Sequence, residues 1–134
     1  MVKLITFATF VYTIIIVVAS LAKVVLPVFS GKVESDKIAH IMAYFVFAFI
    51  WALFFFVKSD FTKEFKKLVK TALFKSSIFS ICFGLIMEIA QFVFTSYRQF
   101  DVKDMLANSF GVLVAMLIMY SFPLFFKLIK KRAV

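Results

Sequence analysis

The chain has 134 residues, 64% of them hydrophobic and 21 of them Phe, with a mean hydropathy of +1.05 and a net charge of +9. Soluble globular domains carry roughly 45–50% apolar residues, and a domain this small keeps much of its surface exposed. An ordinary soluble enzyme, a disordered chain and a disulfide-built secreted scaffold are therefore excluded, and the basic residues, lying between apolar runs, encode membrane orientation and not nucleic-acid binding.

Four apolar runs follow one another, at about 4–26, 38–57, 71–95 and 105–126. Each reaches the roughly 20 residues that a helix needs to cross a hydrocarbon core. Apolarity without alternation, and the need to satisfy every backbone group within the segment, select helix over strand. The expected fold is all-α, a transmembrane four-helix bundle in one domain.

The first run is broken only by Lys23. Lys3 ahead of it and Ser20-Leu21-Ala22 near its end resemble a secretory leader, but the run is longer than a usual leader core, which favours a retained helix. Pro27, Ser30 and Gly31 mark the first loop. The second run contains no Lys, Arg, Asp or Glu. In the second loop, about 58–70, Phe61, Phe65 and Leu68 recur among lysines, a spacing that predicts a short amphipathic helix on a membrane surface. The third run holds Lys75 near its start, which snorkels, and Glu88 and Gln91 near its end. Its Cys82, the sole cysteine, reads as a buried, inert thiol. The fourth run is interrupted by Asn108 and Ser109, then by Ser121 and Pro123 near its far end.

Short connections make neighbouring helices antiparallel, so Lys and Arg can be counted by side. Lys3, Lys58, Lys63, Lys66, Lys67, Lys70, Lys75, Lys127, Lys130, Lys131 and Arg132 fall on one side. Lys23, Lys32, Lys37, Arg98 and Lys103 fall on the other. The positive-inside rule places both termini in the cytoplasm, N-in and C-in, in a multi-pass protein of the cytoplasmic membrane.

The polar residues of the spans are not scattered. His40 opens the second span, Glu88 and Gln91 close the third, Arg98 and Asp101 lie in the third loop, and Asp104 and Asn108 open the fourth. All fall toward the outer side. A charge within a span costs about 2.5–3.5 kcal/mol on insertion scales, so such groups face the bundle interior and mark function. Glu88 and Gln91 share a helix face, as do Asp101, Asp104 and Asn108, and Asp36, His40 and Tyr44. Three faces are expected to converge near the outer boundary as one polar pocket. Simpler readings stand beside this. Asp36, Asp101 and Asp104 serve as helix caps, and Asn108 as hydrogen-bonding glue between helices. Glu88 resists such a reading, and Arg98 is its nearest permanent counter-charge in sequence.

Several chemistries suit this set. His40, Glu88 and Asp104 are candidate acid–base groups, since burial raises a carboxyl pKa and imidazole titrates near neutrality. One His with several carboxylates also suits a divalent cation, but no H-x-x-x-H or C-x-x-C spacing supports it, and neither a metal nor another cofactor is assigned. Nucleophile-elbow, P-loop and dinucleotide patterns are absent, and Cys82 has no charged neighbour in sequence to activate it.

The stretch Asp36-Lys37-Ile38-Ala39-His40 resembles the D-K-x-x-H opening of the VanZ-like membrane protein family. Gly84, Glu88 and Gln91, then Arg98, then Asp101, Asp104, Asn108 and Gly111 resemble that family's G-x-x-x-E-x-x-Q, R and D-x-x-D-x-x-x-N-x-x-G pattern. The resemblance covers about 36–111. It implies a small helical membrane protein of a family named for an association with low-level resistance to the glycopeptide teicoplanin. It nominates the same polar residues and supplies no reaction. The expected function is an envelope protein whose pocket, formed by His40, Glu88, Gln91, Arg98, Asp101, Asp104 and Asn108, binds a polar head group or peptide-like moiety. The alternatives are a membrane hydrolase or transferase acting on a lipid-linked envelope precursor, and a structural subunit. Candidate partners are membrane lipids, such a precursor and a second copy of the chain, with no nucleic acid.

Overall fold

A computed structural model describes residues 1–21, 33–95 and 100–133. Every regular element among them is helical: α1 (Val2–Leu21), α2 (Val33–Val57), α3 (Phe65–Phe94), α4 (Val102–Ser121) and α5 (Pro123–Ala133). The first four are long and apolar enough to cross a membrane. The end of the expected first span, 22–26, lies outside the described residues.

Helix α2 is the hub, packing against α1, α3 and α4. Lipid is as apolar as a leucine core, so close backbone approach and interhelical hydrogen bonds hold such a bundle together. The buried face of α4 carries Ala107, Gly111 and Ala115 at four-residue spacing, and that of α3 carries Ser76, Ser80 and Gly84. A Cβ on Gly111 would overlap the carbonyl oxygen of Ile41 and stand 3.0 Å from the Phe45 nitrogen, so only glycine permits the α2–α4 approach. Ser76 donates its hydroxyl to the Ala48 carbonyl at 2.7 Å.

Helix α1 exposes Leu4, Phe7, Ile14 and Val18, as a lipid-facing helix does. It still bonds to its neighbours. Tyr12 donates to the Ala43 carbonyl at 3.1 Å, and the Trp51 indole donates to the Thr13 hydroxyl at 3.3 Å.

Apolar contacts fill two layers. In the middle, Phe47 stacks on Phe83 with centroids 4.7 Å apart, and Trp51 meets Phe79 at 4.1 Å. At the end formed by the C-terminus of α2 and the N-terminus of α3, Phe56, Leu68, Ala72, Met119 and Phe126 form a second cluster.

Three local expectations change. The second loop holds no separate surface helix, because α3 already begins at Phe65. The recurrence of Phe65 and Leu68 reflects packing onto the protein core, where Leu68 is buried. The fourth span stops at Ser121, because Pro123 has no N–H to continue the α4 ladder and instead opens α5. The amphipathic basic helix is thus α5, anchored by Phe126 and by Lys130, which donates to the Phe61 carbonyl at 3.1 Å. Cys82 is exposed on the outer face of α3 and is not buried. An apolar run cannot distinguish a lipid-facing side from a core-facing one.

Candidate functional site

The antiparallel order brings the N-terminus of α2, the C-terminus of α3 and the N-terminus of α4 to one end of the bundle. Each contributes polar side chains there. Lys37 is the bridge between α2 and α4. Its ammonium stands 2.7 Å from Asp104 Oδ1 and 3.1 Å from Asp101 Oδ2. One turn further along α2, His40 Nδ1 lies 3.0 Å from Asn108 Oδ1, and His40 Nε2 lies 3.7 Å from Asp104 Oδ2. Asp104 thus presents one oxygen to Lys37 and the other to His40.

Helix α3 closes the cluster. Glu88, only 2% exposed, accepts the Asp101 backbone N–H at 3.0 Å. This places a buried carboxylate at the N-terminus of α4, where unpaired amide groups and the helix dipole favour negative charge. Asp101 is the N-cap of α4, its Oδ1 accepting from the Lys103 N–H at 2.8 Å. The capping reading of Asp101 therefore holds, and the same residue also joins the ion-paired network. Asp36 does not cap α2, which starts at Val33, but sits in its first turn.

Exposure grades from mouth to floor. The Asp101 side chain is 42% exposed, that of Lys37 26%, that of His40 13% and that of Asp104 7%. Beneath them the Tyr44 ring lies against Gly84, as does the Asn108 amide nitrogen. A Cβ on Gly84 would stand 3.0 Å from Tyr44 Cε1, so glycine lets the ring reach this position. The Tyr44 hydroxyl is buried with no hydrogen-bond partner among the described residues.

The expected site residues divide accordingly. His40, Glu88, Asp101, Asp104 and Asn108 are brought together. Gln91 is buried on the same side but turns to α1, donating to the Ser20 carbonyl at 3.0 Å. Arg98 lies outside the described residues. Lys37, a loop charge and the second residue of the D-K-x-x-H stretch in the sequence, is not among the expected pocket residues, although its three-residue spacing from His40 already places both on one helix face. A cavity of about 820 Å³, lined by Lys66, Lys67, Lys70 and Tyr120 among others, lies at the opposite end of the bundle.

Asp101 carries a pH prediction. The Lys103 N–H first, then the Lys37 ammonium, hold its carboxyl below the usual carboxylate range. Its stabilising contribution is complete above the unfolded-state pKa, roughly 4, and is lost as pH falls through the lower folded value. Acid titration below about pH 4 should destabilise the wild type more steeply than Asp101→Asn, read by thermal melting in detergent.

Among proteins of known class, a family model described as VanZ/LLP1 matches residues 2–126. No curated protein and no solved structure matches the chain significantly. The match takes in all four apolar helices and every residue of the polar cluster, so the chain belongs to the VanZ/LLP1 family of membrane proteins.

Proposed function

We propose that this protein lies in the cytoplasmic membrane with both termini inside, and that its outward-facing polar cluster binds the polar head group of an envelope or lipid-linked ligand. The observation that carries this reading is the gathering of Lys37, His40, Glu88, Asp101, Asp104 and Asn108 at one end of an otherwise apolar bundle. A bundle that needed only to pack would replace them with small apolar residues at a gain in insertion energy. Lys37 and Asp101, half-open at the mouth, offer both signs of charge to an arriving head group. The surplus of Lys and Arg at the other end supports the orientation. Teicoplanin tolerance is the phenotype this reading extends to.

A second reading is supported by the His40–Asp104 pair: a hydrolase or transferase on a lipid-linked envelope precursor, with the imidazole as the proton-transfer group.

The test is native mass spectrometry of the protein extracted from Gram-positive membranes into nanodiscs. The reading expects an envelope lipid retained by wild type and lost in Glu88→Gln at unchanged melting temperature. In a Cys82→Ser background, a cysteine at Phe100 should react with an impermeant maleimide in intact cells, and one at Thr62 should not. Equal lipid profiles, or labelling of Thr62→Cys alone, would refute it.

A further inference from the structure

We infer that Asp36, His40 and Asp104 form a binding site for a first-row divalent cation, zinc or manganese in class, within the polar cluster. One ligand atom from each of these side chains lies within 4.8 Å of the others. The His40 ring is set up for this role. Asn108 presents its carbonyl oxygen to Nδ1 at 3.0 Å, a contact that the tautomer with its proton on Nδ1 satisfies. In that tautomer the Nε2 lone pair faces Asp104 Oδ2 across 3.7 Å. Two acceptors directed at each other call for a positive species between them. A tetrahedral site with bonds of about 2 Å holds its ligand atoms about 3.3 Å apart, so the three side chains would close in on the ion from separations of up to 4.8 Å. A metal-bound imidazole that donates its other N–H to a carbonyl is the usual outer-shell arrangement, which makes Asn108 a positioning residue.

A second observation points to the same place from below. Tyr44 lies one helical turn beyond His40 and is 3% exposed, and its hydroxyl has no partner among the described residues. Its ring abuts Gly84 beside the Asn108 amide, with Glu88 within electrostatic reach. A cation held there would bring an oxygen of its water or substrate toward this pocket, where the phenol could bond it.

The mixed nitrogen and carboxylate donor set suits zinc, manganese or iron better than magnesium, which favours an all-oxygen octahedron. Lys37 occupies Asp104 Oδ1 and leaves Oδ2 for the metal, so it competes for the carboxylate's charge without blocking the site. The inference does not depend on the head-group reading.

The experiment uses the full chain in nanodiscs, stripped with chelator and titrated separately with zinc and manganese. Bound metal per protein is measured after gel filtration, together with the shift in melting temperature. Wild type is expected to hold about one equivalent of at least one of the two ions and to be stabilised by it. Asp36→Asn should lose binding, and its melting temperature in chelator separates that loss from any loss of fold. Asn108→Ala should weaken binding by about tenfold or more. Lys37→Gln should tighten it, an opposite sign that general instability would not produce. Absence of stoichiometric binding by wild type, or binding unchanged in Asp36→Asn, would overturn the inference and leave a protonated imidazole paired with Asp104.

Discussion

Gly111→Ala is expected to be the most damaging small substitution in the protein. The new methyl group would meet the Ile41 carbonyl and the Phe45 nitrogen, both backbone, which cannot rotate away. Helices α2 and α4 would have to separate along the Ala107–Gly111–Ala115 face. Overpacking costs about 1–3 kcal/mol where side chains can adjust and more where they cannot, so a loss of about 3 kcal/mol is expected. Gly84→Ala is the control. Its methyl group meets the Tyr44 ring edge at 3.0 Å and the Asn108 amide at 3.4 Å, both side-chain atoms able to shift. Its expected cost is about 1 kcal/mol. Equilibrium unfolding in mixed micelles measures both, and equal losses would contradict the geometry.

Asp104→Asn comes next. Asp104 is 5% exposed and ties Lys37 to His40, one carboxylate oxygen toward each. Breaking a buried ion pair from one side typically costs about 3–5 kcal/mol. Lys37 is a quarter exposed and keeps Asp101, so about 2 kcal/mol is the expected loss, measured in chelator. Lys37→Met should cost a similar amount by leaving Asp104 without its counter-charge. The double variant Lys37→Met/Asp104→Leu should recover most of the loss, because an apolar pair in lipid carries no desolvation penalty. Additive losses would show that the two residues do not interact.

The four spans and the clustering of polar groups at one end were legible from the sequence, because continuous apolarity fixes helices and short loops fix their alternation. The convergence of His40 with Asn108, and of Glu88 with the start of α4, follows the spacings i, i+3 and i+4. Lys37 was legible only through the D-K-x-x-H resemblance and not from hydropathy. It precedes the apolar run and looks like loop, yet α2 begins at Val33 and carries it into the helix. The exposure of Cys82 was not legible either, since both faces of a lipid-bathed helix are apolar. The early start of α3 was hidden for the opposite reason. Lysines surround Leu68 and Val69, and only the packing of Phe126 and Met119 shows that this turn belongs to the core.

On the proposed function, the polar cluster does something beyond holding three helices together. Teicoplanin tolerance in a Gram-positive host tests it most directly, with wild type, Glu88→Gln, Arg98→Ala and Asp104→Asn compared at matched membrane abundance. Wild type is expected to protect, and all three variants to lose protection while remaining in the membrane. Variants that protect as well as wild type, or that fail only in proportion to their disappearance from the membrane, would contradict it and leave the cluster as a packing device.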